Sequence, residues 1–244
     1  MQLKQKVIVL SGGTSGIGRG MVDQLAPYNH LIVIARNESK LKELVKCHPK
    51  ITPYLCNLAN LDDVANTADL IAKNHSKIDL LINNAAVQYT PTFIDDDFRY
   101  ETISQEININ FTSICSLIYL LLPCLLNEER RAIILNVNSV LGLTPKKNSA
   151  IYCASKGGLN IFSQSLRYQL ESTNIRVLQA MVPLVDTSMT IGRGSGKISV
   201  KKAASAIVRG IEKEVSDNYI GKSKLLKIIY RLSPVLAKNI LKRS

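Results

Sequence analysis

The chain has 244 residues, 46% of them hydrophobic, and a formal net charge of +12 at neutral pH. That length suits one α/β domain and fits two poorly, and the apolar share is that of a soluble globular protein with a large core. A basic balance admits nucleic acid, a membrane surface or anionic ligands. No nucleic-acid-binding motif and few aromatics accompany it here, so nucleic acid is not expected as a partner.

Short β-branched runs alternate with helical patterns along the whole chain. This predicts a single Rossmann-type doubly wound α/β domain over residues 1–244, a mostly parallel sheet of about seven strands with helices on both faces. Strands are expected at 6–10, 31–35, 51–55, 79–83, 131–137, 175–181 and 218–220, and helices at 16–26, 38–46, 60–75, 101–126, 152–172 and 200–215. The first strand runs into Ser11-Gly12-Gly13-Thr14-Ser15-Gly16-Ile17-Gly18, then into an amphipathic helix with Met21, Val22 and Leu25. Glycines there permit a tight turn and a close approach to a pyrophosphate, and the helix start offers unpaired N–H groups. The spacing differs from the usual dinucleotide fingerprint, so the strand–turn–helix context carries the assignment.

Ala35-Arg36-Asn37 closes the second strand. No carboxylate stands there to bind ribose hydroxyls, and a guanidinium grips a 2′-phosphate. NADP(H) is therefore favoured, with NAD(H) as the alternative; Glu38 is the nearest acid. Further along, the longest apolar run, Ile114 to Leu126, is interrupted by Ser116, Pro123 and Cys124, and no run approaches a bilayer-spanning length. The strand pattern begins at Lys6 with no signal-peptide layout before it.

Tyr152 precedes Lys156 by four residues, which puts both side chains on one helix face with Ser139 upstream. A phenol is a poor base at neutral pH, and a nearby ammonium favours the phenolate, each pKa unit corresponding to about 1.4 kcal/mol. Alone the pair describes many ordinary helix surfaces. Joined to a dinucleotide turn in one domain, it reads as an acid–base pair.

Residues 184–199, including Gly192-Arg193-Gly194-Ser195-Gly196-Lys197, lack periodicity and are expected to form a flexible lid over bound ligands. The segment 222–243 sets Leu225, Ile228, Ile229, Leu232, Val235, Leu236 and Ile240 at helical intervals against basic residues, and Pro234 divides it into two short helices. That face is expected to pack on its own core or on another subunit, with membrane-surface contact as the lesser alternative. Five cysteines (Cys47, Cys56, Cys115, Cys124, Cys153) without C-x-x-C spacing suit a reducing compartment, so a cytoplasmic location is expected. His30, His48 and His75 lie far from Ser139 in sequence, so neither a Ser-His-Asp hydrolase nor a zinc site is supported, and no metal is expected.

Taken together, these residues resemble the short-chain dehydrogenase/reductase family over nearly the whole chain. The glycine turn looks like T-G-x-x-x-G-x-G with Ser11 for threonine, Asn83-Asn84-Ala85-Ala86 like N-N-A-G, and Tyr152-Cys153-Ala154-Ser155-Lys156 matches Y-x-x-x-K. Asn110, opening a long helix, falls where the family keeps a catalytic asparagine, and Asn138-Ser139 where it keeps a serine pair. Glu106-Ile107-Asn108-Ile109-Asn110-Phe111 and Pro183-Leu184-Val185-Asp186-Thr187 are similar to the subgroup around the oxidoreductase of the teichoic-acid D-alanylation operon.

The resemblance implies hydride exchange between a nicotinamide and a carbonyl or alcohol substrate. Tyr152 would move the proton, Lys156 would lower its pKa and meet the ribose, Ser139 would orient the substrate oxygen, and Asn110 would hold a water. Ser11, Gly12, Thr14, Ser15, Gly16, Ile17, Gly18, Arg36, Asn57, Leu58, Asn84, Ala85, Ala86, Pro183, Val185 and Thr187 would complete the cofactor contacts. It also implies a homodimer or homotetramer, formed through the apolar faces of helices 101–126 and 152–172. Three departures stand out: Leu184 for a glycine, Asn57 for an aspartate and Ala86 for a glycine. The first two motivate an alternative, an NADP(H)-binding sensor or scaffold with little turnover.

Overall fold

The five central runs become strands that are apolar and buried on both faces, as a sheet covered on both sides requires, while the two outer strands are only partly buried. In the computed structural model, which describes residues 1–126 and 130–242, these are β1 (Val7–Ser11), β2 (His30–Ala35), β3 (Ile51–Leu55), β4 (Leu80–Asn83), β5 (Ala132–Ser139), β6 (Ile175–Val182) and β7 (Asp217–Tyr219). All pair in parallel, in the order β3-β2-β1-β4-β5-β6-β7. The helices are α1 (Gly16–Leu25), α2 (Glu38–Cys47), α3 (Leu61–Asn74), α4 (Glu101–Ile107), α5 (Ser113–Leu125), α6 (Ala150–Gln169), α7 (Val200–Glu212), α8 (Ser223–Leu232) and α9 (Pro234–Lys242), with a π turn (Asn108–Thr112) joining α4 to α5.

Strand alternation sorts the core into two layers. Ile8, Leu10, Leu31 and Val33 meet Met21 of α1, Leu44 of α2 and Ile207 of α7, while Val9, Ile32 and Ile34 meet Val64 of α3, Leu117 of α5 and Leu159 of α6. Asn37, Asn60 and Ser199 accept backbone N–H bonds in the first turns of α2, α3 and α7. Pro53 sits in β3, an edge strand, where a missing N–H is tolerated. The chain reverses direction across the sheet between β1 and β4, and that switch opens a crevice at their C-terminal ends.

Four expectations change. The continuous helix Glu101–Leu125 is long enough to span a bilayer, with mean hydropathy 1.6. Ser116 and Cys124 do not interrupt it, and Pro123 falls in its last turn. Its Ile114, Leu117, Ile118 and Leu121 are buried in the second core layer, as in a core helix. Asn110 lies inside the π turn of this helix rather than at a helix start. Residues 184–199 are folded at their base, where Val185 bridges Ile198, the Asp186 N–H donates to the Ile198 carbonyl over 2.9 Å and Ser188–Thr190 forms a 3-10 turn. The expected division at Pro234 is present, but the inner face of α8 and α9 buries only Ser223, Leu226 and Ala237. The apolar row on the other face stays in solvent, and Arg243 lies outside the described residues.

Candidate active site

The glycine turn is tied to the loop after β4 by one side chain. The buried Ser11 hydroxyl accepts from the Asn84 and Ala85 N–H groups, each at 3.1 Å, and Asn84 Nδ2 returns bonds to the Ser11 and Gly12 carbonyls. A Cβ at Gly18 would lie 2.0 Å from the Gly12 carbonyl oxygen, so only glycine lets α1 start this close to the turn. Ser15, the α1 N-cap, makes no side-chain cap bond, and no acid stands in the first turn. The N-terminal N–H groups of α1 are left for an anion.

These elements wall a cleft that also receives Arg36, Asn57, Leu58, Ala85, Ala86, Tyr152, Lys156 and Thr187. Of the residues expected to touch a cofactor, Gly12, Thr14, Ser15, Gly16, Ile17, Gly18 and Asn84 line it too, whereas Ser11, Pro183 and Val185 do not. Ser11 is consumed inside the turn, and Val185 is buried with its carbonyl bonded to the Thr190 hydroxyl. Met189, Ser188 and Val137 line the cleft without having been singled out for the cofactor. A roomier hollow exists at the opposite sheet edge, around Tyr28 and His30, but it carries no glycine turn and no acid–base pair. Converging polar groups, not volume, select the site.

The floor of the cleft is built by β5 and α6. β5 extends two residues beyond its expected end, which delivers Asn138 and Ser139 at the C-terminal edge of a central strand. A Cβ at Gly142 would lie 2.5 Å from the Lys156 carbonyl oxygen, so the turn after Ser139 rests directly on the α6 backbone. Ser139 accepts from the Leu141 N–H at 3.2 Å and stands beside the Tyr152 hydroxyl, where it favours the phenolate. Lys156 is 2% exposed and donates to the Val137 carbonyl at 2.9 Å, its Nζ 5.8 Å from the centre of the Tyr152 ring. Asn110 is fully occupied: Oδ1 accepts from the Val87 N–H, and Nδ2 donates to the Val87 carbonyl and to the Ser155 hydroxyl.

Helical spacing suggested a phenol made more acidic by its neighbouring amine. The structure reverses the sign. Burial pushes the Tyr152 phenol above its ordinary value, and the Ser139 hydrogen bond only partly opposes this. Burial likewise pulls Lys156 down to about 8, against the pull of the Glu106 carboxylate. Tyr152 is thus held as a proton donor at neutral pH.

Glu106, quoted only as part of a motif, proves to be the carboxyl nearest this centre in effect. It is 2% exposed and accepts the Tyr89 N–H at 3.2 Å. Burial raises it to about 7, opposed by that bond and by the charges of Arg193 and Lys156. The signal for it was available: it precedes Asn110 by four residues in one helix. Arg193 of the segment 184–199 donates to the Gln88 side chain at 2.9 Å and to the Gln88 carbonyl at 3.4 Å, tying that segment to the loop after β4. Lys197 instead serves the segment itself, bonding the Thr190 carbonyl and pairing with Asp186 at 3.7 Å.

Because the Glu106 pKa is raised on folding, the folded state binds more protons than the unfolded one between pH about 4.5 and about 7. Stability contributed by this group is therefore full below that window and falls across it, by about 3 kcal/mol. Glu106→Gln keeps an acceptor for the Tyr89 N–H and removes the titration. Thermal melts of both proteins from pH 4.5 to 7 are expected to converge at the acid end, with the variant gaining steadily toward pH 7. A constant offset across that range would contradict the assignment.

Residues 6–197 match the model of the short chain dehydrogenase family. An uncharacterized oxidoreductase of Bacillus subtilis, DltE, is 29% identical over 190 residues, covering 78% of this chain and 75% of the relative. A short chain dehydrogenase from Burkholderia cenocepacia, solved in complex with NADP, superposes with a TM-score of 0.87 at 22% identity over 99% of both chains. One from Burkholderia phymatum, solved with NAD, gives 0.86 at 19% identity, over 97% of this chain and 96% of that one. The ordered motifs, the all-parallel sheet and the matched span agree: the chain belongs to the short-chain dehydrogenase/reductase family, whose members are NAD(P)-dependent oxidoreductases.

Proposed function

We propose that this protein is an NADPH-preferring reductase of a carbonyl compound, able to run in reverse on the alcohol. The observation that carries the reading is that Tyr152 and Lys156 line a cleft walled by the glycine turn, with Ser139 beside the Tyr152 phenol. The residues present fit a nicotinamide dinucleotide: Gly12, Gly16 and Gly18 bring the turn backbone to the cleft, and the α1 N-terminus stands there without an acid. When bound, the nicotinamide supplies or accepts the hydride. The protein supplies position and the proton.

Tyr152, held protonated by burial, donates to the carbonyl oxygen. Ser139, fixed by the Leu141 N–H, steadies charge building on that oxygen. Lys156, ionised below pH about 8, would return a proton to the phenol and would hold the ribose hydroxyls of a bound cofactor. Asn110 holds the π turn against Val87 and Ser155, a positioning role. With Leu184 in place of a glycine, Thr187, Ser188 and Met189 still line the cleft, which supports the reductase over a sensor without turnover. Copies of the chain would pair through α5 and α6, where Tyr119, Ile161 and Tyr168 stand exposed.

The preference for NADPH rests on Arg36, exposed at the cleft with no carboxylate partner among the described residues. Glu38, the nearest acid, is engaged: its carboxylate lies 2.6 Å from Lys42 and is held below its usual range by it. Arg36→Ala is expected to lower kcat/KM for NADPH by about 10–100-fold, as loss of charge-assisted bonds to a phosphate does. The value for NADH should change little. A wild-type enzyme that prefers NADH would overturn the cofactor assignment, and no oxidation of either cofactor across a broad carbonyl panel would overturn the reductase reading itself.

A further inference from the structure

The outer face of α8 and α9 carries two parallel rows. Leu225, Ile228 and Leu232 recur at intervals of three and four and stand in solvent, Leu232 at 80% exposure; Val235, Leu236 and Ile240 continue them along α9. One position earlier on α8, Lys224, Lys227 and Arg231 form a second exposed row, extended by Lys222, Lys238 and Lys242. No acidic side chain occurs between Ile220 and Lys242. The inner face is already used: Leu226 and Ala237 pack on Val140 with Ile229, Tyr230 and Leu241.

Charge decides what covers the outer face. A second copy meeting it across a two-fold axis would set these cations against their own images, with no carboxylate between them. An anionic bilayer suits both rows at once, the apolar row entering the acyl boundary while the cations remain among the headgroups. We propose that α8 and α9 form a docking surface for an anionic membrane.

The fold then fixes where the cleft faces. All seven strands are parallel, so the loops after β4, β5 and β6 leave from the same sheet edge as α8 leaves β7. Val140, on which α8 packs, directly follows Ser139. Phe93, Ile94 and Ile191, on two of those loops, are exposed apolar residues at this same edge. Docking brings the mouth of the site beside the bilayer.

The test is sedimentation of the full chain with vesicles, and it does not depend on turnover. The chain is expected to pellet with phosphatidylcholine–phosphatidylglycerol vesicles, to stay in the supernatant with phosphatidylcholine alone, and to be released by salt. Combining Leu225→Ser, Ile228→Ser and Leu232→Ser should lower partitioning by about tenfold or more with the melting temperature retained. Combining Lys224→Glu, Lys227→Glu and Arg231→Glu should abolish the preference for anionic vesicles, which keeps the question open to test if the first variant misfolds. Failure of the wild type to pellet with either vesicle would overturn the proposal. So would a vesicle-free dimer, seen by light scattering, that the serine variant dissociates, since the face would then belong to a second copy.

Discussion

Tyr152→Phe is expected to lower kcat for carbonyl reduction by about 10²–10⁴-fold, the span that a positioned proton donor contributes. The variant removes one oxygen from a side chain whose ring lines the cleft and whose hydroxyl meets Ser139. Ser139 keeps its bond from the Leu141 N–H, and Lys156 keeps its bond to the Val137 carbonyl, so the floor of the cleft stays in place. Cofactor binding, followed by reduced-nicotinamide fluorescence, should therefore change little while turnover collapses. A loss in kcat and kcat/KM alike would mark an interaction made in the transition state. Turnover like that of the wild type would remove Tyr152 from the chemistry and leave Ser139 or a bound water as the donor.

The direction of the Tyr152 shift matters for how that enzyme responds to pH. A phenol raised by burial stays protonated through the neutral range, so reduction does not wait on its protonation. Alcohol oxidation needs the phenolate and is expected to be the slower direction at neutral pH. Helix periodicity could place Tyr152 and Lys156 on one face, because three or four residues make a turn. It carried no information about solvent, and here burial sets the direction, opposed first by Ser139.

The same distinction runs through the rest of the site. The strand alternation, the glycine turn and the order of the motifs were legible because each is written in local residue types. Ser11, expected at the cofactor, does not line the cleft: its hydroxyl turns inward to two N–H groups of the loop after β4, far away in sequence. Val185 does not line the cleft either, because its segment folds at the base and buries it through a bridge to Ile198 that no short-range pattern announces. Glu106 passed as one helix residue among others until burial set it against Lys156 and Arg193. The C-terminal segment was expected to cover its apolar side, and its helical spacing was read correctly, but spacing alone cannot say which of two faces finds a partner.

Lys156→Met is expected to abolish turnover and yet stabilise the fold. The ammonium is 2% exposed with one carbonyl partner, and burial lowers it from its ordinary value to about 8. A depressed lysine means that the unfolded state binds the extra proton more readily, so the wild type is destabilised below pH 8, by about 3 kcal/mol on the strength of the shift alone. Methionine fills a similar volume without a charge, but it leaves the Val137 carbonyl unpaired, which costs about 1–3 kcal/mol. The net gain at pH 7 is therefore small, about 1 kcal/mol, or about 2–4 °C in Tm for a chain of this size. Its pH dependence is the sharper mark. The advantage of the variant is full below pH 8, shrinks as the pH rises, and gives way above about 10.5, where the wild-type lysine is neutral both folded and unfolded, to the cost of the unpaired carbonyl. Melts of the two proteins between pH 7 and 10.5 read this directly: curves that stay parallel would mean that Lys156 is not held against its charge. Curves that close, with turnover gone, would mean that the site keeps a buried cation for its chemistry at the expense of stability.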